Sequence, residues 1–200
     1  FYNIPTNRIW LRDSGPIFLV NKINKNKVLL NFKFNAWAKY KDYQKDNLIN
    51  NKISKITKIK KINPTMRINN KLKQVVLEGG AIDVNGKGSI LLTKECLLSK
   101  IQERNPGITK HVLENVLKKY LNVTNFIWLN KGIEGDDTHG HIDDIARFVA
   151  ENTIMTAVEN NKKDINYLNL KENYKILNQA KNLKGKKFRI IKIPMPKPIY

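Results

Sequence analysis

Two hundred residues, 41% hydrophobic and 27% charged, describe an ordinary globular chain long enough to bury a sizeable core. No apolar run reaches membrane-spanning length, and a single cysteine, Cys96, excludes an intrachain disulfide and fits a reducing, cytoplasmic compartment. The formal net charge of +20 invites a nucleic-acid reading, but lysine outnumbers arginine 31 to 6 and Lys, Asn and Ile together make 83 residues, so AT-rich codons account for the bias, and arginine, the residue suited to bidentate phosphate and guanine recognition, is scarce.

In chain order, Ile17 to Val20 and Val28 to Phe34 are short apolar runs separated by Asn-Lys turn residues, the pattern of a hairpin. Asp42 to Lys61 is polar and lysine-rich, helical and then loop, and its basic run from Lys52 reads as a solvated face. Gln74 to Leu77 reads as a buried strand ending at Glu78-Gly79-Gly80. Ala81 to Val84 and Ser89 to Thr93 flank Asn85-Gly86, a strong turn signal. Asn105-Pro106-Gly107 breaks the chain, and Thr109 then caps a helix from Lys110 to Leu121 whose apolar face carries Val112, Leu113, Val116, Leu117 and Tyr120. Asn125 to Leu129 is a strand. Ile142 to Val149 and Thr153 to Val158 are further strands, Glu172 to Leu183 a helix stopped at Gly185, and Phe188 to Ile193 the last strand. Strands and helices alternate with short hairpins, which argues one α/β domain over residues 1–200 with mixed strand directions.

Chemistry concentrates in Gly135 to Ile145, where two histidines and four acids share one loop. Buried charge is costly unless paired or used, so this density points to a charged ligand. On an extended segment His141 and Asp143 face the same way, a proton-transfer group beside a carboxylate. His139, His141 and Asp143 also form a pattern that suits zinc, which keeps a metal-dependent hydrolase open as a second class. A basic nucleic-acid-binding module is the third. Glu78 reads two ways: as a carboxylate satisfied by the Gly79-Gly80 backbone, or as the acid that orients a histidine. Asp13 lies in a turn-forming Arg12-Asp13-Ser14-Gly15-Pro16, and Trp10 is either core or the wall of a pocket for an aliphatic cation.

Four segments, in order, resemble the agmatine deiminase and bacterial peptidyl-arginine deiminase family. They are Trp10 to Pro16, Phe34-Asn35-Ala36-Trp37, Leu77 to Gly88 and Gly135 to Phe148; Pro194 to Pro198 is similar to a further family segment. The resemblance implies the pentein fold, strand-and-helix units in a five-fold pseudosymmetric α/β propeller. It also implies hydrolysis of a guanidinium group to a ureido group with release of ammonia, without metal or organic cofactor. Asp13 and Asp143 match the carboxylates that clamp the cation, His141 the acid–base histidine and Glu78 the acid beside it. By the same resemblance Trp10 falls at a position that lines the substrate channel, and the Asp136-Asp137 pair, Asp137 foremost, is expected to add negative potential toward the distal amine of agmatine.

The implied partner is a small cationic guanidine, agmatine first and free or peptidyl arginine as the alternative, because His139 stands where agmatine-specific members more often carry Asn or Asp. Neither a specific nucleic acid nor a membrane is implied, and homo-oligomerisation is compatible with the family. The family nucleophile is a cysteine in a C-terminal Gly-Gly-Gly-x-x-His-Cys segment that has no match here. The 200 residues are therefore expected to be the central part of a longer enzyme, inactive alone. Cys96, among Leu91, Leu92, Leu97 and Leu98, is expected to be a packing residue.

Overall fold

A computed structural model describes residues 1–197, so Pro198 of the proline-rich segment lies outside the described residues. The chain divides into two compact units, Phe1–Gly80 with Lys100–Asn122, and Ala81–Ser99 with Val123 onward. The mixed α/β class expected from the sequence is the one observed. Among the described residues, no helix is long and apolar enough to cross a membrane.

In the first unit the expected hairpin is β1 (Ile17–Val20) against β2 (Lys27–Leu30), antiparallel with Ile17 opposite Leu30. Helix Asp46–Thr57 then returns the chain so that β3 (Lys60–Ile62) joins β2 in parallel. What the sequence suggested as loop before Lys61 is thus partly strand. The next hairpin, β4 (Thr65–Ile68) and β5 (Lys71–Gln74), turns through Asn69 and Asn70 at φ 49° and 60°. Asparagine tolerates that left-handed backbone better than most side chains. Helix Lys110–Leu121 has the expected bounds and the expected cap, the Thr109 hydroxyl accepting the Val112 N–H. The Tyr120 hydroxyl on that helix accepts the Thr65 N–H at 3.1 Å.

The buried strand expected from Gln74 to Leu77 is not a regular one. Strand β5 stops at Gln74, and Val75 to Leu77 continue as buried extended chain. The reason is visible in its partners: Lys33 exchanges backbone bonds with Val75 and Leu77, and the Asn105 side chain both donates to and accepts from the backbone of Val76 at 2.7 and 2.9 Å. A side-chain amide thus takes the place of a neighbouring strand, which satisfies buried peptide groups without a ladder.

In the second unit β6 (Asp83–Val84) pairs antiparallel with β7 (Ser89–Thr93), and β8 (Asn125–Leu129) lies parallel to β7. A second sheet sets β9 (Ala146–Ala150) antiparallel to β10 (Thr153–Val158) and β11 (Arg189–Pro194) parallel to β10. Helix Tyr167–Gln179, which both begins and ends earlier than the Glu172 to Leu183 indicated by the sequence, connects β10 to β11. It buries Leu170 and Leu177 against Leu91, Ile127, Leu129, Ile154 and Phe188. All five residues of β7 are buried, consistent with its continuous apolar run. One order, antiparallel pair then parallel strand, recurs in β1-β2-β3, β6-β7-β8 and β9-β10-β11. That recurrence agrees with the repeated strand-and-helix units the resemblance implies.

Candidate active site

In the first unit the segment around Asp13 is one helical turn, Leu11–Ser14, closed by the Gly15 N–H on the Leu11 carbonyl at 2.9 Å. Asp13 is 7% exposed. Its Oδ2 accepts the Trp37 indole N–H and its Oδ1 the backbone N–H of Gly80, each at 3.0 Å. Gly79 makes that approach feasible, since a Cβ there would sit 2.2 Å from the Arg12 carbonyl oxygen. Trp37 itself belongs to a left-handed turn in which Ala36, Trp37 and Ala38 have φ of 50°, 59° and 54°. Each such non-glycine residue costs on the order of 1–2 kcal/mol, and strain of this kind gathers at functional sites. Trp10 is more than half exposed.

Glu78 is fully buried, and the partner that neutralises it is Arg104, Nε to Oε1 at 3.0 Å with both side chains inaccessible. The Gly80 N–H bonds Asp13, so the backbone-satisfied reading of Glu78 fails at that glycine. Arg104 also donates from Nη1 to the Gln102 carbonyl, and Gln102 donates from its amide to the Trp37 carbonyl, both at 3.0 Å. Sequence reasoning missed Arg104. The available signal was its rarity, one of 6 arginines beside 31 lysines, where a forked cation suits a buried carboxylate better than an ammonium does. A cavity of about 840 Å³ in this unit is lined by Lys33, Lys61, Lys73 and several amides rather than by Asp13 or Glu78.

In the second unit the loop from Gly135 is organised by Asp136. One carboxylate oxygen takes the N–H and hydroxyl of Thr138 at 2.7 and 2.5 Å, the other the N–H groups of Gly140 and His141 at 2.7 and 3.1 Å. Partial burial opposes the Asp136 charge, but those donors together outweigh it and hold the carboxyl below its usual range. Gly140, at φ 90°, has its carbonyl bonded by the Thr93 hydroxyl at 2.5 Å, and its α-carbon packs against Gly132 and Glu95. The loop therefore delivers His141, 2% exposed, in a set direction.

His141 is not followed by a strand, as the sequence suggested. Ile142–Asp144 form a 3-10 turn, and regular strand resumes at Ala146. The turn still brings the two side chains together: His141 Nδ1 lies 3.6 Å from Asp143 Oδ1, an ion-pair distance rather than a hydrogen bond. Arg147 reaches Asp83 from Nε at 3.3 Å and Asp143 from Nη1 at 3.9 Å. Asp137 is exposed. His139 turns aside at φ 62°, its Nε2 3.3 Å from the Ser99 hydroxyl. Among the described residues, His139, His141 and Asp143 do not assemble a metal-holding group.

The lowered Asp136 carboxyl gives a pH prediction. A depressed folded-state value means stabilisation present above the usual carboxylate range, roughly pH 4, and lost as pH falls through the lower folded value. Asp136→Asn is therefore expected to lower the melting temperature at neutral pH, with the gap to the natural protein narrowing as the solution is acidified. A gap that stays constant from neutral to strongly acidic pH would refute the assignment.

The family model of the Porphyromonas-type peptidyl-arginine deiminase matches residues 1–200. A Latilactobacillus sakei relative carrying a provisional agmatine deiminase name is 39% identical over 198 residues, covering 96% of this chain and 51% of that protein. Among solved structures, agmatine deiminase from C. jejuni with substrate bound superposes with a TM-score of 0.84 at 34% identity, over 100% of this chain and 55% of that one. Agmatine deiminase from Enterococcus faecalis gives 0.86 at 32% identity, over 98% and 52%. The chain spans about half the length of the curated relatives it matches. The motifs, the fold and the whole-length match agree, and the chain belongs to the Porphyromonas-type peptidyl-arginine deiminase family.

Proposed function

We propose that these residues serve hydrolysis of a guanidinium group to a ureido group with release of ammonia, agmatine giving N-carbamoylputrescine in putrescine biosynthesis. The carrying observation is a buried histidine, His141, beside the carboxylate of Asp143 at 3.6 Å on a loop braced by a second acid, Asp136. Relatives 34–39% identical carry agmatine deiminase names, which supports the substrate choice.

In the proposed reaction Asp13 and Asp143 bind the planar cation through parallel N–H···O bonds. A thiolate attacks the guanidinium carbon, and His141 gives a proton to the departing nitrogen, which leaves as ammonia and yields a covalent thiouronium. His141 then takes a proton from water as it adds to that carbon. Collapse expels the thiolate and releases the ureido product. Glu78 holds its charge on the Arg104 side and is the acid assigned to act with the histidine. Trp10 and Asp137, both exposed, are assigned to the entrance, toward the distal amine. The compartment is assigned as cytoplasmic.

The attacking thiolate is assigned to a cysteine other than Cys96. That thiol is 1% exposed, inside helix Lys94–Leu98, whose cap is the Thr93 hydroxyl accepting the Cys96 N–H. Reactive cysteines sit in partly exposed, electropositive settings. The test is to supply the natural full-length protein with agmatine, free arginine and an arginyl peptide, measuring ammonia and ureido product. Agmatine is expected to give the highest kcat/KM, and Cys96→Ser to leave it unchanged. No turnover of any of the three would sink the reaction class, a preference for the peptide would move the substrate alone, and loss in Cys96→Ser would relocate the nucleophile.

A further inference from the structure

Three of the four family-like segments meet at one carboxylate. Asp13 is held on one oxygen by the Trp37 indole N–H and on the other by the Gly80 backbone N–H, both at 3.0 Å. A buried tryptophan that serves only packing has no need of a strained backbone. Trp37 has one, with φ of 59° between two alanines that are also left-handed, a region bulky residues avoid.

The surroundings impose that conformation. Asn35 Oδ1 accepts the Ala38 N–H at 3.0 Å, and the Gln102 amide holds the Trp37 carbonyl at 3.0 Å. The ring stands edge-on to Phe34 and Tyr40, centroids 5.3 and 6.0 Å away. Strained residues persist only where neighbours over-determine them, and here the outcome is the direction of one N–H bond.

We propose that Trp37 is a positioning residue for the guanidinium site, its indole N–H setting the rotation of the Asp13 carboxylate and with it the plane a bidentate cation must adopt. This rests on the assignment of Asp13 as a guanidinium ligand. Two donors on different oxygens fix a carboxylate's torsion in a way one donor does not, and a forked guanidinium bonds well only in the carboxylate plane. Removing the Trp37 donor leaves Asp13 present, with its Gly80 bond, but without the bond that holds its second oxygen in place.

The experiment compares Trp37→Phe, Asp13→Asn and the double variant in the natural full-length protein, with agmatine as the probe. Trp37→Phe is expected to raise KM by about 10- to 100-fold, the range for a lost hydrogen bond to a charged group, with a smaller change in kcat. Calorimetric binding of agmatine should show that Trp37→Phe costs nothing further once Asp13 is Asn. An equal loss in both backgrounds would make the tryptophan a structural residue and overturn the proposal. Normal turnover in Asp13→Asn would instead remove the ligand assignment, and the proposal with it. If Trp37→Phe does not fold, the indole N–H resonances of the natural protein decide. The Trp37 signal should move on saturation with agmatine while that of Trp128 stays, and a stationary Trp37 signal would overturn the proposal.

Discussion

His141→Ala in the natural full-length protein is expected to lower kcat for agmatine by about 10²- to 10⁴-fold, the usual contribution of a positioned general acid–base, with little change in melting temperature. The size follows from the role. A guanidinium nitrogen cannot leave as an anion, so the step that releases ammonia needs a proton delivered in place, and water then needs one removed. In the structure the histidine is 2% exposed, its backbone N–H bonds Asp136 at 3.1 Å, and its ring lies 3.6 Å from Asp143. Because Asp136 and Thr93 hold the loop backbone, truncating the ring should spare the fold. Near-normal kcat with ammonia still released would reassign proton transfer to another group. A large melting-temperature drop would instead show that the ring holds the loop.

The second large effect concerns stability. Arg104→Met is expected to destabilise the protein by about 3–5 kcal/mol, the range for breaking a buried pair by removing one partner, read as a shift in the denaturant midpoint. Glu78 and Arg104 meet at 3.0 Å with both side chains inaccessible. The methionine fills much of the arginine's volume, so the loss should come from stranding a carboxylate in a low-dielectric interior. Glu78→Gln combined with Arg104→Met is expected to recover a substantial part, since the amide carries no charge to strand. If the double variant is no more stable than the single one, packing rather than charge dominates the pair. Activity tests whether Glu78 also serves the histidine, as proposed: a stable double variant is then expected to stay inactive.

Much of the local structure was legible because it is decided locally. Thr109 caps a helix because its hydroxyl reaches an N–H three residues on, and Lys110–Leu121 follows with the expected bounds. Ile17–Val20, Asn125–Leu129 and Thr153–Val158 occur where apolar runs bounded by turn residues put them. The failures share one cause. Val75 to Leu77 looks like a strand but its central residue, Val76, takes its bonds from the Asn105 side chain, about thirty residues away, and Ile142–Asp144 looks extended but is drawn into a turn by a loop whose donors converge on Asp136. In both places a distant or looped-back polar group outweighed the apolar pattern.

The sequence by itself determined the composition class, the α/β alternation, the family and the short list of acids and histidines, because residue type, spacing and motif order carry those. It named Asp13, Glu78, His141 and Asp143 and paired the last two, but not the partners of Asp13 and Glu78. Only the tertiary structure decided that Glu78 is neutralised by Arg104, that Asp13 is gripped by Trp37 and Gly80, and that Asp136 spends its charge on backbone N–H groups. Only it showed the same three-stranded order recurring, which no repeated residue string announces. The physical reason is that hydrogen bonds and ion pairs act over about 3 Å in space, and the groups that hold Asp13 are brought to it by the fold from 24 and 67 positions away.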